Sequence, residues 1–241
     1  MISIIIATYN AAHYLEDCLK SILSQSYNQI EILIADAGST DHTLSIIDTM
    51  NNGTIHCISE PDKGIYDAFN KTVERAKGQW IYFMGADDRL LPGFSEIASQ
   101  LKTPDTVYYG NSEGYYTDAK PDFVIYKGPF SKYRLAKYCL NHQAILYPAE
   151  VFKKYKYDLR YKVFADYALN LKVWGDPQFK KRHLPLTIVN YHMGGFSALN
   201  VDQEFKKDKA ELIQSNLGKS VYLRYLYKKY KKKLFGNKDW Y

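Results

Sequence analysis

The chain has 241 residues, 46% of them hydrophobic, with 32 Lys plus Arg against 26 Asp plus Glu and a formal charge of +6. That balance is ordinary for a globular protein and excludes a disordered chain, a collagen or a disulfide-stapled miniprotein. The length allows one large α/β domain or one domain with a small appendage. The cysteines Cys18, Cys57 and Cys139 are odd in number and show no CxxC spacing, which suggests neither a disulfide framework nor a zinc ribbon and favours a reducing compartment.

Ile2-Ser3-Ile4-Ile5-Ile6 lacks a basic leader and a small-residue cleavage site, so it reads as a buried strand rather than a signal peptide. No stretch approaches the roughly 18 apolar residues needed to span a bilayer, so a soluble or peripheral protein is expected. Charge is unevenly placed. Residues 219–241 hold eight basic residues and one acid, whereas residues 1–218 carry 24 basic and 25 acidic ones. The basic character belongs to the tail.

Ile2 to Ala7 is the first expected strand. A helix follows from about Ala12 to Gln25, with Tyr14, Leu15, Cys18, Leu19, Ile22 and Leu23 on one apolar face. Ile30 to Ala35 is a second strand, too apolar to be exposed on both faces. Ser39-Thr40-Asp41 offers a capped start to a helix ending near Met50, and Asn51-Asn52-Gly53 is its stop. Thr54 to Ser59, Ile65 to Ala76 and Trp80 to Met84 then read as strand, helix and strand, followed by a sharp turn at Gly85-Ala86-Asp87-Asp88. This alternation predicts βαβ units on a parallel sheet. Beyond Leu101 the pattern loosens into short strands, near Val107 to Tyr109 and Phe123 to Tyr126, and short helices. The expected organisation is a single domain over 1–218, with a regular half at 1–110 and a looser half at 111–218, and a basic amphipathic tail at 219–241.

In an open parallel sheet, ligands bind beyond the carboxyl ends of the strands. Those ends carry Thr8-Tyr9-Asn10, Asp36-Ala37-Gly38-Ser39, Glu60-Pro61-Asp62-Lys63-Gly64 and Asp87-Asp88, which places four polar groups on one rim. Neither GxGxxG nor GxxxxGK[ST] occurs there, which argues against a dinucleotide oxidoreductase and a P-loop kinase. Two carboxylates at a strand-end turn can hold Mg²⁺ or Mn²⁺, whose other positions are filled by water and phosphates. Taken alone, Asp87-Asp88 reads equally as a solvated turn with one Asp capping the next helix.

Ile4-Ile5-Ile6-Ala7-Thr8-Tyr9-Asn10, Asp36-Ala37-Gly38-Ser39-Thr40-Asp41, Glu60-Pro61-Asp62-Lys63-Gly64-Ile65-Tyr66-Asp67-Ala68-Phe69-Asn70 and Gly85-Ala86-Asp87-Asp88, in that order, resemble the motifs of family 2 glycosyltransferases. The resemblance covers most of residues 1–110 and returns at Asn141 to Gln143, Asp166 and His192. It implies a GT-A fold: a Rossmann-like nucleotide-binding sheet, an irregular acceptor-side half and, in this chain, a C-terminal basic helix.

It also implies an inverting, metal-dependent transfer of a sugar from a nucleotide donor, UDP-linked by expectation, to a saccharide or lipid-linked glycan of the cell surface. By that resemblance Thr8, Tyr9, Asn10 and Asp36 hold the nucleoside, Lys63 lies at the diphosphate, and Asp62 and Asn70 help. Asp88 binds Mn²⁺ or Mg²⁺, Asp87 contacts ribose or donor sugar, and His192 joins the metal or phosphate from a late loop that Gly194-Gly195 would let close. His142 and Gln143 contact acceptor or donor sugar. Asp166 is the general base, although this chain has Ala165 where many relatives carry a second acid.

The residues by themselves leave other readings open: a loop carboxylate bonded to its own backbone for Asp36, a surface lysine for Lys63, a helix cap for Asp62 or Asp166, a core imidazole for His142 and a strand end for His192. Two other functional classes share these features, a nucleotidyltransferase releasing pyrophosphate and a non-catalytic nucleotide-sugar or membrane-binding module.

Val221 to Phe235 places Leu223, Leu226, Tyr227, Tyr230 and Leu234 at helical spacing among Arg224, Lys228, Lys229, Lys231, Lys232 and Lys233. Such a helix suits an anionic membrane surface at the inner face of the cell membrane. Packing on the domain and binding of nucleic-acid phosphates are the alternatives, the last the least favoured.

Overall fold

A computed structural model describes residues 1–115, 123–125, 127–194 and 200–235. Its strands are β1 (Ile2–Thr8), β2 (Ile30–Asp36), β3 (Ile55–Ser59), β4 (Trp80–Gly85), β5 (Arg89–Leu90), β6 (Thr106–Tyr115), β7 (Phe123–Ile125), β8 (Ile145–Pro148) and β9 (Lys180–His192). The helices are α1 (Ala12–Leu23), α2 (Thr43–Met50), α3 (Ile65–Val73), α4 (Gly93–Ser99), α5 (Lys132–Lys137), α6 (Glu150–Lys154), α7 (Ala165–Gly175), α8 (Gln203–Leu217) and α9 (Lys219–Phe235), with a 3₁₀ turn at His142–Ala144. The strand order is β3-β2-β1-β4-β8-β6-β9-β5, with β7 beside β6.

The first four long strands are parallel, as the alternating pattern predicts. β1 is buried along both faces because helices cover both sides of the sheet. Ile2, Ile4 and Ile6 meet Leu15, Cys18, Leu19 and Ile22 of α1 on one side. Ile5 points the other way, into a core shared with Phe69 of α3 and the aromatic residues of the second half. Past β4 the sheet becomes mixed: β8 runs antiparallel to β4 and β6, whereas β9 runs parallel to β6.

Several boundaries differ from the sequence reading. α2 begins at Thr43 rather than at Ser39–Asp41, but Asp41 still serves it, since Oδ1 accepts from the Thr43 backbone N–H at 3.0 Å. α1 and α3 end two and three residues early. The strand expected at Val107 to Tyr109 is the start of a strand that runs from Thr106 to Tyr115, and β9 and α8 were not foreseen. Tyr126 lies outside the described residues. α7 starts at Ala165, so Asp166 is inside the first turn; the cap position is Phe164, and it makes no side-chain cap. Asp202 holds that end instead, accepting from the Val163 and Phe164 N–H groups at 2.9 and 3.1 Å.

The C-terminal helix is present and rests on α5 and α8. Its packed residues are Val221, Tyr222 and Tyr225. Leu223, Tyr227 and Tyr230 of the anticipated stripe face solvent instead. No helix among the described residues is long and apolar enough to cross a membrane.

Candidate active site

Two register relations bring distant segments together. β5 pairs antiparallel with β9, Arg89 opposite Asn190, so the residues just before β5, Asp87 and Asp88, run past Tyr191 and His192. β8 pairs antiparallel with β4, Tyr82 opposite Leu146, and this carries Asn141 to Gln143 back to the Gly85 turn. The result is a cleft of about 810 Å³ lined by Tyr9, Lys63, Asp87, Asp88, His142, Gln143, Asp166 and His192 among others. That volume suits a nucleotide-sized ligand.

Asp88 is 2% exposed. Its Oδ2 accepts from the Gly85 N–H at 2.8 Å and from Gln143 Nε2 at 2.9 Å, and its Oδ1 from the His192 N–H at 3.0 Å. Burial first, and the charge of Asp87 next, raise its carboxyl to about 6. His192 Nδ1 stands 3.2 Å from Asp87 Oδ2, with the imidazole between the rings of Tyr14 and Tyr115 at 5.6 and 5.4 Å. Tyr115 Oη donates to the Asp87 carbonyl at 2.6 Å. A Cβ on Gly85 would lie 2.7 Å from both Asp87 Oδ1 and Asp88 Oδ2, so only glycine leaves room for the acidic pair.

The donor chemistry of this corner, hard carboxylates with one imidazole, fits Mn²⁺ or Mg²⁺. It is not a closed cage: among the described residues no three acidic, histidine or cysteine side chains converge on one point. Mg²⁺-type ions on nucleotides are commonly held by one or two carboxylates plus substrate phosphates, and an open corner agrees with that. His192 ends β9 and is therefore a strand end; Gly195, Phe196 and Ser197 of the loop beyond it lie outside the described residues.

Asp166 is 7% exposed. Its Oδ1 accepts from the Tyr167 N–H at 2.8 Å and shares the single proton of the Tyr66 hydroxyl, 3.1 Å away, with the Val163 carbonyl, which is 2.7 Å from that hydroxyl. Its Oδ2 faces His142 Nδ1 at 3.1 Å and Cys139 Sγ at 3.8 Å. Asn141 caps the 3₁₀ turn that carries His142 and Gln143, accepting from the Gln143 N–H at 3.2 Å. His142 thus pairs with a buried carboxylate, and Gln143 braces Asp88.

The nucleoside residues divide. Tyr9, 65% exposed, and the exposed Lys63 reach the cleft. Thr8, Asn10 and Asp36 do not line it: Thr8 and Asp36 are buried, and Asn10 is exposed, next to Tyr9 in sequence. Asp36 is 1% exposed and accepts from Thr8 Oγ1, Ser39 Oγ, Ser59 Oγ and the N–H groups of Gly38 and Ser39. Burial alone would raise its carboxyl, but the bonds from Ser39, Ser59 and Thr8 outweigh that and hold it below the usual range. Asn10 takes φ +49 and accepts from the Thr40 N–H at 2.9 Å. Asp36 faces a smaller groove with Glu60, Asp62, Lys71 and Arg75. Asp62 accepts from the Gly64 N–H at 2.7 Å, and Asn70 exchanges two 2.9 Å bonds with the Tyr157 backbone, away from the cleft.

Sequence reasoning passed over Tyr66, Tyr14, Tyr115 and Cys139. Tyr66 was visible within the Ile65-Tyr66-Asp67 run, but its contact with Asp166 spans 100 positions and has no local signal.

Known proteins resemble this chain in sequence and in fold. The chain is 36% identical over 217 residues to a PGL/p-HBAD biosynthesis glycosyltransferase of Mycobacterium tuberculosis, covering 86% of this chain and 83% of that one. It is 32% identical over 232 residues to the Escherichia coli UDP-Glc:alpha-D-GlcNAc-diphosphoundecaprenol beta-1,3-glucosyltransferase WfaP, covering 92% and 86%. The fold matches that of S. aureus TarS 1–349 in complex with UDP, with a TM-score of 0.70 at 16% identity over 99% of this chain and 73% of that one. It also matches a Pyrobaculum calidifontis mannosyltransferase in complex with GDP-Man and Mn²⁺, with a TM-score of 0.63 at 14% identity over 98% and 76%. The profile described as glycosyl transferase family 2 matches residues 3–164, and with these relatives it establishes that the chain belongs to that family and has the GT-A fold.

Proposed function

We propose that this glycosyltransferase is inverting and metal-dependent, taking its sugar from a UDP-linked donor and passing it to a saccharide or lipid-linked glycan at the inner face of the cell membrane. The observation that carries the reading is that one cleft holds both the Asp87, Asp88 and His192 corner and the His142–Asp166 pair. The UDP named for the glucosyltransferase relative and for the TarS complex supports the choice of donor.

Tyr9 and Lys63 receive the nucleoside diphosphate from the cleft side, Lys63 as a point charge on the diphosphate. Thr8, Asn10 and Asp36 hold the ends of β1 and β2 in the shape that the nucleoside meets. Asp88 and His192, with Asp87 beside them at the donor, would hold Mn²⁺ or Mg²⁺, which when bound offsets charge on the leaving diphosphate. Asp166 acts as the base. Its Oδ1 is held by the Tyr167 N–H, and Oδ2, on the His142 side, takes the proton from the acceptor hydroxyl as that oxygen attacks the anomeric carbon. His142, bonded to the same oxygen, orients the carboxylate and meets the sugar.

A thermal-shift panel of UDP, GDP, CMP and dTDP, with and without Mn²⁺, tests the donor. At a hundred times its dissociation constant a ligand stabilises the native state by about 2.7 kcal/mol. A Mn²⁺-dependent shift with UDP is expected; a shift with another nucleotide alone would overturn the choice of UDP, and no shift with any would overturn the donor site.

A further inference from the structure

The last helix is amphipathic on two opposite sides. At about 100° per residue, Val221, Tyr222 and Tyr225 share one side and pack against the core through α5 and α8. Leu223, Tyr227 and Tyr230 form a ridge on the opposite side, 54%, 65% and 60% exposed. A helix that only needed to pack on its own domain would have a polar outer face. This outer face is aromatic and bordered by cations instead: by the same rotation Lys219 and Lys231 lie beside the ridge and Lys228 and Lys229 nearer the packed side, all four are exposed, and residues 219–235 contain seven basic side chains and no acid. Among the described residues none of these four lysines has an acidic partner.

The mounting is firm. Arg224 lies over the Tyr133 ring of α5 at 4.0 Å, and Lys209 of α8 over the Tyr167 ring at 4.6 Å, next to Asp166. α5 in turn leads into the segment that carries His142 and Gln143. The ridge is therefore attached to the elements that bear the His142–Asp166 pair.

We propose that the Leu223–Tyr227–Tyr230 ridge docks on the surface of an anionic phospholipid bilayer. Tyrosines and a leucine suit the headgroup boundary, where an aromatic ring is buried and its hydroxyl stays wet. The lysines answer the negative surface potential. The neutral balance of residues 1–218 leaves this helix as the part of the chain that senses that potential. The docking needs nothing from the transfer reaction; its use, holding the cleft near a lipid-linked acceptor, rests on the function proposed above.

The test is co-sedimentation of the full chain with vesicles of phosphatidylcholine, with and without phosphatidylglycerol. Binding at least tenfold stronger to the anionic vesicles, and weakened by salt, is expected. Changing Lys219 and Lys231 together to Gln should weaken it about twenty-fivefold, roughly fivefold for each charge. Tyr227→Ser with Tyr230→Ser should weaken it about tenfold or more, and both sets should leave the unfolding temperature unchanged because the altered side chains are exposed. Equal binding to neutral and anionic vesicles, or variants that bind like the natural chain, would overturn the docking. So would a dimer that the Tyr227 and Tyr230 changes dissolve, or capture by RNA with no vesicle binding. Vesicle binding by a chain that transfers no sugar from any nucleotide donor upholds the docking and sinks only the catalytic reading.

Discussion

Asp36 shows what a single carboxylate does when five donors surround it. Its depressed carboxyl means that the folded state holds the ionised form more tightly than the unfolded chain does. That contribution is complete above the unfolded value near 3.8 and is lost as pH falls through the lower folded value. Asp36→Asn should cost about 2–4 kcal/mol, since an amide turns a donor toward donors, and a urea titration at several pH values should show less acid dependence in the variant. Asp88 has the opposite sign. Its raised carboxyl is a cost at neutral pH that protonation relieves, so divalent-ion affinity should fall as pH drops below about 6, and calorimetry in two buffers should detect proton release on binding. Asp88→Ala should abolish transfer without unfolding the chain. Asp166→Asn should keep the donor-induced thermal shift and lose transfer, and unchanged turnover would remove it as base. Tyr66→Phe removes the hydroxyl that the Val163 carbonyl and Asp166 share, and a loss of about tenfold in kcat with little change in KM is expected.

At the scale of elements, the site depends on close backbone approaches. Gly85→Ala would push a methyl into two carboxylates, so it should weaken metal binding far more than stability; paired thermal melts and metal titrations would separate the two. Gly175, at the end of α7, lies where a Cβ would meet the Asn216 carbonyl of α8 at 2.1 Å. Gly175→Ala should therefore destabilise the α7–α8 pair, by roughly 1–3 kcal/mol, and disturb Asp166 from the far end of its helix. The strands β1 to β4 and the helices between them were legible because each carries its own periodicity and a nearby stop, such as Asn51-Asn52-Gly53 after α2. β9 was not. Its burial pattern is irregular and its register with β6 shifts around Asn111, so no two-residue alternation survives for a reader of the sequence.

Across the whole molecule, one sheet joins the parallel nucleotide half to the mixed second half, and the two apolar cores lie on its opposite faces. Truncation after Gly218 would expose the groove that Val221, Tyr222 and Tyr225 fill, and should lower the unfolding temperature by several degrees. The donor-induced shift should persist, because among the described residues none of α9 lines the cleft.

The order of the motifs, their places at strand ends and the acidic pair were properties of the sequence alone, because they rest on local periodicity and on residue chemistry that needs no partner. The family and the parallel half of the fold followed from them. Tertiary structure decided the rest. It put Asp36 into a cradle rather than onto the cleft wall, joined His142 to Asp166 and His192 to Asp87, and turned Leu223, Tyr227 and Tyr230 outward. These outcomes depend on register across strands and on which side of a helix finds a neighbour. The contacts that set them link residues from about twenty to more than a hundred positions apart, and no local pattern encodes them.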